Sequence, residues 1–166
     1  MFGKPLMFLG IYAVLHFLYE ATGFKILIPF SGVDESVFEH LKLGFWAYFF
    51  ANIIEYFISK KKSQTSWWYS RMFSNILLPW FIVLIWYMLP IFLGHIESLA
   101  IELVWAFAVT FVVGLISVSI ERNLEDKQLS MNLKFLIVSL FVVSIIFYTA
   151  FSFQKPWIDL FENPEL

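Results

Sequence analysis

The sequence predicts an all-α membrane bundle of five transmembrane helices, with the N-terminus inside and the C-terminus outside. Three observations carry this expectation. First, 60% of the 166 residues are hydrophobic, 21% are aromatic and only 14% are charged. A water-facing domain carries about 25% charged residues. Second, the charges fall in short clusters between apolar runs of the length a bilayer demands, about 20 residues. Third, the basic residues are unevenly distributed over the joints, which sets orientation.

The five runs are about 5–23, 43–59, 73–93, 99–120 and 133–153. The first follows Lys4. It is longer than the apolar core of a signal peptide and contains His16 and Glu20, so it reads as a retained span. The second is short alone, but the stretch from about Asp34 has helical character and extends it as an outer surface or re-entering helix. The third contains Pro79 and Pro90, each a point of kinking or fraying. The fourth carries Gly114 and Ser117, small enough for close helix contact. The fifth is followed by Lys155-Pro156. Beyond it, Trp157, Leu160 and Phe161 have the spacing of a short helix lying on the outer surface. One membrane domain, 1–166, is expected, in a multi-pass protein of the prokaryotic cytoplasmic membrane.

Orientation follows from counting Lys and Arg. With the Lys60–Arg71 loop inside, Lys4, Lys60, Lys61, Lys62, Arg71, Arg122, Lys127 and Lys134 are inside, and only Lys25, Lys42 and Lys155 are outside. Trp67, Trp68 and Tyr69 follow the Lys triplet as an interfacial belt does.

Several functions are excluded or disfavoured. The net charge of −2 and the lack of a long basic run leave no nucleic-acid footprint. The chain has no cysteine, so disulfides, Cys-ligated zinc, iron–sulfur clusters and a Cys nucleophile are ruled out. Membrane lipids are the expected partners, and a homo-oligomer is the expected form if so few spans make a transporter.

Ionisable groups in spans are expensive, so each is a functional candidate. His16 and Glu20 are four apart on one helix face. Glu35 and Glu39 share a face if their stretch is helical, with His40 beside them and Lys42 one turn on. His95 and Glu97 lie in the next outer loop, and Glu102 starts the fourth span. All three histidines are thus expected on the outer side. Imidazole and carboxylate together suit a divalent metal such as zinc, or general acid–base chemistry. In the metal version His16, His40 and His95 are ligands. Glu20, Glu35 and Glu39 supply ligands or the base, and Lys42 holds an anionic group of a lipid-like substrate undergoing hydrolysis.

Structural roles explain the same residues. Ser36 and Glu39 fit a capping box, Asp34 is an equally good cap, and Glu39–Lys42 is an i, i+3 pair. Glu55 stands apart, about 24 Å along the helix from Glu39. It is either an acid reaching for the inner interface or an inner gate or proton site with Asn52 and Tyr56, as in a small transporter. An accessory membrane protein with no chemical site is the third reading.

The segments His16-Phe17-Leu18-Tyr19-Glu20 and Asp34-Glu35-Ser36-Val37-Phe38-Glu39-His40-Leu41-Lys42 resemble signatures of a family of small prokaryotic integral membrane proteins, a domain of unknown function. The family patterns are H-F-x-Y-E and N-E-S-x-W-E-H-x-K. Asp34 stands in place of Asn, and Phe38 in place of Trp. The resemblance groups His16, Glu20, Glu35, Glu39, His40 and Lys42 without implying a reaction.

Overall fold

A computed structural model describes residues 2–58, 65–94 and 98–162. Five α-helices follow one another: α1 (Gly3–Thr22), α2 (Val37–Ile58), α3 (Thr65–Leu93), α4 (Leu99–Glu125) and α5 (Met131–Phe151). Single 3-10 turns cover Lys25–Leu27 and Asp159–Phe161. The apolar runs become helices because a chain in hydrocarbon must satisfy its own backbone. Four helical segments are long and apolar enough to cross a membrane: Gly3–Thr22, Ser66–Met88, Leu99–Glu125 and Met131–Phe151.

α2 is the exception, and its position explains why. At 22 residues it is about 33 Å long, but it carries Glu39, Lys42, Asn52 and Glu55. It is the central helix. Residues Leu41 to Tyr48 are buried without a break, and the charged pair Glu39 and Lys42 is buried with them. α1 and α3 pack against α2, α4 closes the group against both α1 and α3, and α5 lies on α3. α5 also meets α2 through aromatic rings, with Phe45 at 5.5 Å from Phe141 and 5.0 Å from Tyr148. The other faces of α5 are bare apolar surface, as at Phe135 and Val143, which suits lipid contact.

Two helices are longer than their apolar runs. α3 begins at Thr65, so Trp67, Trp68, Tyr69 and Arg71 are helical rather than loop. α4 continues to Glu125, so Glu121 and Arg122 are helical too. Gly114 fulfils its expected role. An added Cβ there would lie 3.3 Å from the Pro5 Cα, so α1 and α4 approach closely at this point. The C-terminal stretch departs from the expected surface helix. Phe161 turns inward, 4.6 Å from the Phe38 ring, while Trp157 stays 93% exposed.

Helices successive in sequence run antiparallel, so polar residues distant in sequence gather at two opposite ends. One end joins Lys4 of α1 to Glu55 of α2. The other joins Tyr12 and His16 of α1 to His40 of α2.

Candidate functional site

The His16 end holds two polar groups. In the first, His16 Nε2 lies 3.4 Å from one Glu35 oxygen and His40 Nε2 lies 3.4 Å from the other. The two imidazoles stack with centroids 5.9 Å apart, and Tyr12 shares a 3.3 Å hydrogen bond with His40 Nδ1. Glu35 can reach both rings because its loop is laid directly on α1. Ser31 Oγ donates to Leu15 O at 2.5 Å and accepts from Tyr19 N at 2.8 Å. Gly32 N donates to Leu15 O at 3.1 Å, and an added Cβ at Gly32 would sit 2.9 Å from His16 O. The hydrogen bond from His40 holds the Glu35 carboxyl below its ordinary range, against the opposing effect of burial.

The second group is a strap. Glu39 and Lys42 are fully buried and 2.6 Å apart. Glu39 also accepts from Val33 N at 3.0 Å, and Lys42 donates to Ile28 O at 2.8 Å. Lys155 ties the C-terminal segment down onto Asp34 and, at 3.1 Å, onto Glu39. Burial favours the neutral acid at Asp34, but hydrogen bonds from Lys155 and Ser36 outweigh it and lower the pKa. Burial also opposes the charge on Lys155, but the Asp34 and Glu39 carboxylates outweigh it and raise the pKa. Ser36 caps α2 by accepting from Glu39 N at 3.4 Å. Glu39 does not return the bond as a capping box requires, because Ser36 N donates to Asp34 Oδ1 at 2.9 Å instead.

The expected site residues therefore divide. His16, Glu35 and His40 come together. Glu39 and Lys42 bind each other and the loop backbone beneath the surface. Glu20 and Glu102 are exposed and belong to neither group. His95 and Glu97 lie outside the described residues. The expected metal ligation by His16 and His40 finds no support. Among the described residues no group of three or more His, Asp or Glu side chains is arranged to hold a metal ion. Both imidazoles turn Nε2 toward one bridging carboxylate, that of Glu35.

At the opposite end the sequence offered only Glu55, with Asn52 and Tyr56, as a candidate inner gate or proton site. Glu55 lies there, but its partners Lys4 and Arg71 come from two other helices, α1 and α3, and a third, α4, adds Glu121 and Glu125. Lys4 Nζ lies 2.7 Å from Glu55 and 2.6 Å from Glu121. Arg71 binds Glu55 through two nitrogens, at 2.9 and 3.3 Å, and also contacts Glu125. Glu121, 1% exposed, accepts from Tyr48 Oη at 2.7 Å and Ser74 Oγ at 2.9 Å as well. The cations rest on aromatic faces, Arg71 at 4.3 Å from the Trp67 ring and Lys4 at 4.7 Å from Tyr48. Beside this network opens a cavity of about 760 Å³. Lys4, Glu55, Arg71 and Glu125 line it together with apolar Met7, Trp67 and Val118.

Lys4 and Arg71 had served only as orientation markers, and Glu121 lay beyond the end of its apolar run. Two helical spacings could have flagged Arg71 and Glu121, and nothing in the sequence flags Lys4. Trp67 and Arg71 are i, i+4 on α3, and Glu121 and Glu125 are i, i+4 on α4.

Both ends belong to an all-helical bundle with several helices of membrane-crossing length and apolarity. The chain belongs to a family of unknown function, DUF6512, whose model matches residues 1–164. No curated protein and no solved structure matches it.

Proposed function

We propose that this is a five-span protein of the cell membrane, N-terminus inside, that binds a small charged solute in the cavity at the Lys4 end and passes it along the bundle. The carrying observation is the cavity of about 760 Å³ whose wall holds the ion-paired Lys4, Glu55 and Arg71. Its volume falls in the range of small-molecule sites, about 300–1,000 Å³. Charges inside a membrane bundle are retained at high cost, and ion and substrate paths are where they recur. Helix packing alone calls for ion pairs but not for an open space beside them.

Flux through reconstituted vesicles tests this reading. A panel of charged solutes is screened with the wild type and with Glu55→Gln. At least one solute is expected to cross faster than in protein-free vesicles, and Glu55→Gln should slow it about tenfold or more. Equal flux with and without protein, or an unchanged Glu55→Gln, refutes the proposal.

One observation favours a second reading. His16, Glu35 and His40 converge on a partly exposed carboxylate, the geometry of an acid–base group. In that reading they act on a lipid-like ester at the outer face, while Glu39 and Lys42 hold the loop beneath them. Ester hydrolysis abolished by His16→Ala and Glu35→Gln would favour it over transport.

A further inference from the structure

Among the described residues the charges at the Lys4 end do not balance. Glu55, Glu121 and Glu125 face Lys4 and Arg71, so the set has one carboxylate in excess. Arg122 and Asp126, also on the cavity wall, add one charge of each sign and leave the excess unchanged. The three acids are not served equally. Glu121 takes Lys4, Tyr48 and Ser74, and Glu55 takes Lys4 and Arg71. Among the described residues Glu125 has Arg71 alone, and Arg71 is shared with Glu55. Glu125 is also among the residues lining the cavity, and its side chain is 17% exposed. An excess negative charge in a poorly solvated site attracts a cation.

The wall decides which kind of cation. Met7, Ile58, Trp67 and Val118 make much of it apolar. Such a surface cannot replace the water shell of a bare metal ion, and the space is far larger than one ion. An anion is disfavoured there, because Lys4 and Arg71 are both engaged by carboxylates and, with Arg122 and Asp126 counted, the described wall still carries one more acid than base. An ammonium group on an apolar body satisfies both parts of the wall.

We propose that the cavity takes an organic ammonium ion, whose nitrogen is held by Glu125 and whose carbon body lies along Met7, Trp67 and Val118. This rests on the reading of the cavity as the solute site and names the class of solute. The nitrogen can belong to a free amine or to the amine headgroup of a membrane lipid.

The test uses the full chain in lipid-free detergent micelles, titrated calorimetrically with phenethylammonium, with phenylacetate and with neutral phenylethanol. Phenethylammonium is expected to bind at least tenfold tighter than the other two. Glu125→Gln should weaken it about tenfold, and Glu125→Asp, which keeps the charge, should restore most of it. Helical circular dichroism confirms that both variants are folded. If Glu125→Gln unfolds, the wild-type preference and Glu125→Asp carry the comparison.

Nanodiscs then separate the two sources. Weaker apparent phenethylammonium binding in phosphatidylethanolamine than in phosphatidylglycerol assigns the nitrogen to a headgroup. Equal binding in the two lipids assigns it to a free amine. Tighter binding of phenylacetate, or equal binding of all three, overturns the ammonium inference and leaves the cavity as a site for another solute. No binding of any probe overturns the ammonium inference and the solute cavity together.

Discussion

Lys4→Met removes the cation at the centre of the buried network while keeping a side chain of similar length. In the native protein the ammonium is 9% exposed and touches two acids, at 2.6 Å from Glu121 and 2.7 Å from Glu55. Removing one partner of a buried ion pair costs about 3–5 kcal/mol, because the other charge is stranded. Here the stranded acids keep other donors. Glu121 retains Tyr48 and Ser74, and Glu55 retains Arg71. The cost should therefore fall at the low end, about 3 kcal/mol, or roughly a hundredfold in the unfolding equilibrium. The assay is unfolding in mixed micelles of rising SDS fraction, followed by helical circular dichroism. Adding Glu121→Gln to Lys4→Met removes the stranded charge, and the amide oxygen still accepts from Tyr48 and Ser74. The double variant should therefore be more stable than Lys4→Met alone, a coupling that a double-mutant cycle isolates. A Lys4→Met cost below about 0.5 kcal/mol, or a double variant no better than the single, refutes the reasoning.

Further predictions follow from both ends. Arg71→Lys keeps the charge but loses the two-nitrogen grip on Glu55 and the stacking on Trp67; it should cost about 1–3 kcal/mol in the same assay. Gly32→Ala places a Cβ 2.9 Å from His16 O, which is backbone and cannot swing away; the loop must lift from α1, costing about 1–3 kcal/mol and lowering the melting temperature. The native pKa of Glu35 lies below its ordinary value of 4.5. Its contribution to stability is complete above that value and is lost as pH falls through the native pKa. Melting curves from pH 6 to pH 3 should show the loss, and Glu35→Gln should flatten the acid limb. Lys155 behaves oppositely. Its native pKa is raised above 10.5, so its contribution holds below that value and is lost as pH rises through the native pKa. Lys155→Met should abolish that alkaline limb in the same melts.

The helical class and the five elements were legible because hydropathy reports length and burial directly. The ends were less so. An apolar run marks where side chains avoid water, whereas a helix continues as long as its backbone bonds do. α3 and α4 therefore reach past their runs and bring Arg71, Glu121 and Glu125 into the bundle. The grouping of His16, Glu35 and His40 was readable because α1 and the loop to α2 are adjacent in sequence. The buried fate of Glu39 and Lys42 was readable only as a pairing, since spacing cannot say which way a pair faces. The Lys4 network was hidden for a different reason. Its members lie up to 121 residues apart (Lys4 to Glu125), on four helices whose antiparallel packing alone brings them together. A lone lysine near an N-terminus also looks the same whether it marks topology or anchors a buried acid.

The claim that a charge-lined cavity opens at the Lys4 end of the bundle can be tested with a thiol. The chain has no cysteine of its own, so each introduced one reports alone. Met7→Cys places a thiol in the cavity wall, and Val143→Cys places one on the bare apolar face of α5. In sealed vesicles, a membrane-impermeant thiol reagent should label Met7→Cys from the cytoplasmic side only and leave Val143→Cys unlabelled. Met7→Cys as inert as Val143→Cys from both sides would contradict the cavity, and with it the proposed function.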